Sequence, residues 1–290
     1  MTSISFTPPD NSSPLVVSIK SYMSNVHSSK EVIMGIINQT YTYKKNDKII
    51  VNIVTDQRHS ICSRKAGTGT GIKYLNRIQQ DYEDLVIVNY VNYDWGNVTN
   101  ILEALSYIER INRESDVPPY TYDTRLIYCE DNIHYPDTMV ETMNLVTTVG
   151  SDTCIWGASG FDIHNMTITL RKEHATLVEV IEGYGGVVVP IGAFVTDFME
   201  YINFIRDTEI ILLLNSSDIV ISNYFSKHKI PKRIARLESK GYTFDRIWSR
   251  IKYTGSSSRN IKSRNDVWEG YIDAIYLLSG WKELYLRIIC

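Results

Sequence analysis

Two carboxylates and an amide stand side by side at Glu130, Asp131 and Asn132, directly after the apolar run Leu126 to Cys129. A run of that length and content suits a buried strand. Tyr135-Pro136-Asp137 follows, and its proline suits the first turn of a helix expected over 136–148. In open α/β sheets, ligands bind where strands end at their carboxyl side. Oxygen donors gathered there suit a hard divalent cation that also carries a phosphate. The same three residues also fit a solvated loop whose charges sit near a helix start.

Other residues offer chemistry with less pattern around them. Asp218 follows the apolar run Ile210–Leu214 and three polar residues, and it opens a short helix over Ile219–Phe225. A carboxylate there fits a cap or first-turn residue, or a general base set against an acceptor hydroxyl. Gly183-Tyr-Gly-Gly186 lies between apolar runs, where glycine permits positive φ or a close backbone approach, in a plain turn or beside a ligand. Gly67-Thr-Gly-Thr-Gly71 has GxGxG spacing with no Gly-Lys-Ser/Thr after it, so it reads as a surface loop and not as a phosphate loop. The six histidines show no HxxxH spacing, and only His134, two residues past the acidic cluster, stays a candidate. Cys62, Cys129, Cys154 and Cys290 form no CxxC pair, which argues against a zinc site and a redox pair and fits reduced thiols in the cytoplasm.

The elements that must position these residues alternate. Strands are expected at Leu15–Ile19, Lys48–Val54, Asp84–Val88 and Leu126–Cys129. Between them lie helices at Ser29–Ile37, Ile72–Gln80 and along the apolar face Val98, Ile101, Leu102, Leu105, Ile108 and Ile111. Alternation of this kind means β-α-β units and a mostly parallel sheet. The second half changes character. Short strands are expected at 154–156, 166–170, 178–181 and 187–189, a helix around Phe194–Ile205, and an amphipathic helix over most of 267–288. With no repeat and no long linker, a flexible tail at 1–13, one domain over 14–235 and a helical extension over 236–290 packed on it form the simplest division.

Composition narrows the class. A chain of 290 residues with net charge −3 is not the basic protein expected of a nucleic-acid binder. The N-terminus lacks a basic start and an apolar core, so no signal peptide is expected. No apolar run approaches the roughly 18 residues that span a bilayer. Between Lys227 and Lys252 nine Lys or Arg face only Glu238 and Asp245. That stretch fits a solvated helical face, or a peripheral membrane contact with anionic lipid.

In order along the chain, several of these segments resemble a GT-A fold nucleotide-diphospho-sugar glycosyltransferase of the family-2-like group. Val17-Ser-Ile-Lys-Ser-Tyr22 and Ile37-Asn-Gln-Thr-Tyr41 resemble that family's first strand and the end of its first helix. Asp94-Trp-Gly-Asn-Val-Thr-Asn-Ile-Leu102 resembles D-Y-G-P-x-T-K-L, and Glu130-Asp-Asn-Ile-His-Tyr-Pro-Asp137 resembles the D-D-D/N-x-x-Y-P metal motif. Glu182-Gly-Tyr-Gly-Gly-Val187 and Ser217-Asp-Ile-Val-Ile-Ser-Asn-Tyr224 resemble G-Y-G-G and D-D-I-W-x-S-x-Y. The resemblance runs from about residue 15 to 235.

It implies a Rossmann-like, mostly parallel central sheet flanked by helices, with an elaborated C-terminal part on the acceptor side. It implies Mn²⁺ or Mg²⁺ held by Asp131 with Glu130 and Asn132, and a base at Asp218. Ser21, Tyr22 and Asp56 would touch the nucleobase and ribose; Asp94, Thr99 and Asn100 would complete the nucleotide pocket. Gly185 and Gly186 would lie beside the sugar. The expected reaction is an inverting transfer from a nucleotide-diphospho-sugar, with UDP-sugar first in line, to a hydroxyl on a glycan, lipid-linked or protein acceptor. Four positions depart from the family: Glu130 for the first Asp, Asn132 at the third metal position, Asn100 for the lysine and Ser217 for the first of the paired acids. They leave open a non-catalytic nucleotide-sugar or glycan binding protein. A sugar-phosphate nucleotidyltransferase is the other alternative.

Overall fold

The computed structural model describes residues 13–23, 26–55, 70–131, 133–149, 154–164, 167–171, 174–194, 196–207, 214, 216–235, 272–278 and 284–285. Strands Leu15–Tyr22 (β1), Lys48–Val54 (β2), Val86–Val91 (β3) and Arg125–Glu130 (β4) alternate with helices. These are Val26–Ile37 (α1), Thr70–Asp81 (α2), Asn97–Glu114 (α3) and Met139–Val149 (α4). Ile155–Gly157 (β5), Gly160–His164 (β6), Thr167–Arg171 (β7), Val180–Ile181 (β8) and Val187–Pro190 (β9) follow. Helices Phe198–Asp207 (α5) and Ser217–Lys227 (α6) and strand Lys232–Ile234 (β10) come after them.

Seven strands form the main sheet in the order β10-β5-β9-β4-β1-β2-β3. β1 pairs in parallel with both β2 and β4, and β3 adds in parallel to β2. Parallel neighbours need a crossover, and α1, α2 and α3 supply it. Near-continuous apolar strands are the expected partner of such crossovers, because helices cover both faces. β1 shows this, with Leu15, Val16, Val17 and Ile19 all fully buried. Only β9 runs against the rest, antiparallel to β4 and β5. A small sheet, β7-β6-β8, lies beside it. The fold is therefore the α/β arrangement expected, with a mostly parallel central sheet flanked by helices.

Side-chain alternation divides the core. Val16, Leu126 and Tyr128 face Val98, Ile101 and Leu102 of α3, in a cluster that also takes in Ile221 and Phe225 of α6. Val17, Ile19 and Ile127 face Ile33 and Ile36 of α1, Leu75 of α2 and Val140 of α4. A helical segment at 272–278 joins the first cluster through Ala274, Ile275 and Leu278. Among the described residues no helix is long and apolar enough to cross a membrane.

Several expectations need correction. α4 begins at Met139, three residues after Pro136. The Gln39 amide donates to the Pro136 carbonyl and Thr40 N–H to the Asp137 carbonyl, so 136–138 are held in a turn before the helix. α5 begins at Phe198; Phe194 instead follows a 3₁₀ turn and packs its ring 4.8 Å from Phe198 and 5.5 Å from Phe225. Strand β6 was not expected at all. The basic stretch is not one helical face: Lys227 ends α6, and Lys232 to Ile234 form β10, beside β5. Lys232 is buried, and its ammonium donates to the Ser222 carbonyl at 3.2 Å and the Ser226 hydroxyl at 2.6 Å. Burial pushes its pKa down to about 8. Residues 236–252 lie outside the described residues.

Candidate active site

The chain moves from β1 to β2 on one side of the sheet and returns to β4 on the other. The carboxyl ends of β1 and β4 therefore border a crevice at the point where strand order reverses. Lys20 and Glu130 are register partners across it. Strand alternation turns Lys20, like Ser18, toward the α3 face; Ser21, like Ile19, turns toward α1.

On the α1 side, Asp131 is nearly buried, at 7 % exposure. Its Oδ2 lies 2.5 Å from the Ser21 hydroxyl and 2.5 Å from the Ser29 hydroxyl, and the two hydroxyls are 2.7 Å apart. Two hydroxyl protons are thus shared among three contacts, which fixes the rotamer of the carboxylate. Glu130 is anchored through its backbone. It donates its N–H to the Tyr135 hydroxyl at 2.9 Å, and that hydroxyl lies 3.1 Å from its carbonyl. Asp131 is thus held through its side chain and Glu130 through its backbone.

On the α3 side, Asp94 is the centre of a polar knot. Its Oδ1 accepts from the Lys20 ammonium at 2.7 Å and from Gly96 N–H at 3.1 Å, and its Oδ2 accepts from the Tyr22 hydroxyl at 2.5 Å. Burial raises the pKa of a carboxyl, but Lys20 and these donors hold Asp94 below the usual carboxylate range. Burial likewise opposes the charge on Lys20, yet Tyr22 and Asp94 keep its pKa above the ordinary lysine value. This knot fixes the loop that starts α3.

That loop brings Asp218 in. Gly96 has φ +60°, and a Cβ there would stand 2.6 Å from the Ser217 hydroxyl oxygen. Only glycine fits both the backbone and the space. Asn97 then donates its backbone N–H to the Ser217 hydroxyl and its side-chain amide to Asp218 Oδ1, each at 3.1 Å. Ser216 is the N-cap of α6, so Asp218 lies in the first turn, where the helix start favours its charged form. Gly183 sits directly over this pair: a Cβ there would be 2.1 Å from the Asn97 amide nitrogen and 3.0 Å from Asp218 Oδ1. Gly186, at φ +87°, passes near Tyr135, the residue that clasps Glu130. One short turn thus spans from the end of β4 to Asp218.

The predicted residues divide accordingly. Asp131 and Asp94 are bonded to Ser21 and Tyr22 at the carboxyl end of β1, Glu130 ends β4, and Asp218 is bonded to Asn97 at the start of α3. Ser21 and Tyr22, expected at the base and ribose, hold Asp131 and Asp94. Gly185 packs with its α-carbon toward Ala158, where a Cβ would be 2.8 Å from the alanine methyl. Thr99 and Asn100 are fully buried. The Thr99 hydroxyl accepts Trp95 N–H at 2.8 Å, closing the first turn of α3. The Asn100 amide bonds to the Cys129 carbonyl at 3.2 Å, and its oxygen accepts from Asn52 at 3.2 Å. These two side chains are therefore taken up by the protein interior. His134 lies 3.6 Å from Glu31 of α1, on the outer side. Asp56, Asn132 and residues 67–69 lie outside the described residues.

Lys20, Ser29, Asn97 and Gly183 were not singled out individually in the sequence. Lys20 had a usable signal, since a lysine inside an apolar strand flank needs a partner when buried. Ser29 and Asn97 had none, because each acts on a carboxylate about a hundred residues away.

No protein-family model and no curated protein matches the chain. Solved structures do. The chain is similar to the mannosyltransferase PcManGT from Pyrobaculum calidifontis, solved in complex with GDP-Man and Mn²⁺, at 11 % identity and TM-score 0.43, over 94 % of this chain and 78 % of that one. It is similar to S. aureus TarS 1-349 at 10 % identity and TM-score 0.41, over 92 % and 72 %. It is also similar to 4-diphosphocytidyl-2C-methyl-D-erythritol synthase at 6 % identity and TM-score 0.43, over 89 % and 99 %. The chemistry of the site rests on this chain's own geometry.

Proposed function

We propose that this protein is a glycosyltransferase that moves a sugar from a nucleotide-diphospho-sugar to a hydroxyl acceptor, with inversion at the anomeric carbon. The observation that carries the reading is the pair of buried carboxylates, Asp131 and Asp218, tied to one strand-end crevice by the Tyr22–Asp94–Gly96–Asn97 connection. A donor diphosphate belongs at the first and an acceptor hydroxyl at the second.

A divalent cation fits the first position by donor chemistry. Glu130 and Asp131 offer hard oxygen ligands, and among the described residues no cluster of three His, Cys, Asp or Glu forms a cage. Mg²⁺ commonly takes one or two carboxylates and completes its shell with substrate phosphate and water. When bound, Mn²⁺ or Mg²⁺ would neutralise charge on the departing nucleoside diphosphate. The chain's own residues do the rest. Ser21 and Ser29 keep Asp131 oriented. Lys20 offsets part of the negative charge in the crevice. Asn97 holds Asp218 by one oxygen, and Asp218 takes the acceptor proton as the new C–O bond forms. A base so placed contributes about 10²–10⁴-fold to rate.

The test begins with thermal shifts against UDP-, GDP-, CMP- and dTDP-sugars with Mn²⁺, since a ligand of the native state raises apparent stability. The donor that binds is then incubated with acceptors, and nucleoside diphosphate release is followed. Turnover in the wild type, lost in Asp218→Asn with donor binding kept, supports the proposal. Binding without turnover would favour a binding protein, and pyrophosphate release from a nucleoside triphosphate and a sugar phosphate would favour a nucleotidyltransferase. Full activity in Asp218→Asn would remove Asp218 from the mechanism.

A further inference from the structure

β4 runs on past its antiparallel neighbour. β9 pairs with it only from Arg125 to Tyr128, and Tyr128 stands opposite Val187. Continuing that register would set Glu130 against Gly185, but Gly183–Gly185 is a 3₁₀ turn and Gly186 has φ +87°. Residues two apart on a strand direct their backbone N–H and C=O to the same neighbour. Those of Glu130 therefore face the side that β9 has left. The Tyr135 hydroxyl meets both: it accepts Glu130 N–H at 2.9 Å and donates to the Glu130 carbonyl at 3.1 Å. Its ring runs past Gly186, where a Cβ would be 3.8 Å from Tyr135 Cε1. One phenol thus does for Glu130 what a further residue of β9 would do. Tyr135 is itself held in place. Pro136 biases the backbone before it toward extended conformations. The Pro136 carbonyl accepts from the Gln39 amide at 2.9 Å and the Asp137 carbonyl from Thr40 N–H at 2.8 Å, so the chain just after α1 anchors this loop. Ser21 and Ser29 fix the Asp131 side chain, and Tyr135 fixes the backbone one residue earlier.

We propose that Tyr135 is a positioning residue for the cation and diphosphate side of the site. Its hydroxyl sets the peptide that carries Glu130 and leads into Asp131, and so sets where both carboxylates stand. Without that hydroxyl, two backbone groups at the strand end lose their partner and the chain leaving β4 can rotate. Carboxylates on such a backbone spend only part of the time in the arrangement that takes a cation, and apparent affinity falls by that fraction. The effect is confined to binding that runs through the cation; a nucleotide's contacts elsewhere do not depend on it. Tyr135 has this role only if Glu130 and Asp131 hold the donor's cation, so the assignment rests on the transferase reading.

Tyr135→Phe keeps the ring and removes only the hydroxyl. Tyr43→Phe is the control, since the Tyr43 hydroxyl donates to the Ile36 carbonyl at 2.7 Å and its loss also breaks a bond between a phenol and the backbone. Both variants should melt below the wild type. Calorimetric titration with UDP, GDP, CDP and dTDP, each with Mn²⁺ and with EDTA, separates the roles. For the nucleotide that binds, Tyr135→Phe should weaken the affinity measured with Mn²⁺ at least about tenfold, as loss of a group that orients a metal ligand does. Its metal-free affinity, and both affinities of Tyr43→Phe, should match the wild type. Unchanged affinity in Tyr135→Phe would overturn the proposal. An equal loss with and without Mn²⁺, or an equal loss in Tyr43→Phe, would reduce Tyr135 to a stability role and overturn it too. A wild type that binds none of the four nucleotides would overturn the transferase reading, and this role with it. Amide exchange on the wild type needs no variant. The Glu130 N–H should exchange slowly without nucleotide, and exchange at the rate of a solvated amide would show that the Tyr135 hydroxyl does not hold it.

Discussion

Replacing Gly183 by alanine tests how tightly the acceptor side is assembled. The added methyl carbon would stand 2.1 Å from Asn97 Nδ2 and 2.9 Å from its Cγ. The end of a flexible side chain could swing aside cheaply, but Asn97 is short, 4 % exposed and bonded to Asp218. To make room, its amide must leave the carboxylate. A hydrogen bond to a charged group contributes about 1.5–3 kcal/mol. With unfolding entropy near 2 cal/mol/K per residue, that lowers the melting temperature by about 2–5 °C for a chain of this length, before any added strain. Gly35 is the internal control. It lies exposed within α1, and nothing would come within 4 Å of a Cβ there. Gly35→Ala should stabilise by about 0.5–1 kcal/mol, as Gly-to-Ala in a helix does. Differential scanning calorimetry of the two variants and the wild type gives the comparison. Gly183→Ala melting at or above the wild type would refute the steric argument, and with it the claim that this turn holds Asn97 against Asp218.

Asp131→Asn keeps the shape that Ser21 and Ser29 grip but removes the charge. Calorimetric titration with a nucleoside diphosphate in Mn²⁺ should then weaken by at least about tenfold, 1.4 kcal/mol, whereas unchanged affinity would detach Asp131 from the donor site. Asp94→Asn strands the Lys20 ammonium in a nearly closed site and should cost about 3–5 kcal/mol near neutral pH. Because the native Asp94 carboxyl is held low, the stability it contributes is complete above its unfolded value and is lost as pH falls through the lower native one. The melting gap between wild type and Asp94→Asn should stay constant from about pH 5 to 8 and close below about pH 4; a gap that widens in acid would contradict the ion pair. Lys232 works in the opposite direction: its native pKa of about 8 lies below that of the unfolded chain, so the unfolded state binds the extra proton and stability rises between those values. Urea unfolding at pH 7.5 and 10 should show the wild type gaining up to about 3 kcal/mol relative to Lys232→Met, and no gain would mean the ammonium is solvated.

Much of the first half was legible because periodicity and length bear directly on parallel β-α-β units. β2 lies at Lys48–Val54 as read, and the apolar face from Val98 to Ile111 lies within α3. The second half was less so. Gly160-Phe-Asp-Ile-His164 has no apolar run, and it is a strand because it pairs with β7 and β8. Val187-Val-Val189 reads as a strand, but nothing local says that it runs antiparallel between β4 and β5. Lys232 looks like surface charge and is buried because β10 docks on β5. The resemblance puts Asn100 in a nucleotide pocket, yet the β1–β2 and β1–β4 registers set Ser18, Asn52 and the Cys129 carbonyl around it.

The residue types and their order determined an α/β chain with acids at a strand end and an acid at a helix start, because strand length, helix period and the needs of charged groups are local properties. Which acid faces which partner was decided only by tertiary structure. Asp131 is held by Ser29 and Asp218 by Asn97, contacts made between elements 102 and 121 residues apart. Such contacts depend on sheet order and crossover direction, and these minimise the free energy of the whole chain and not of any one segment.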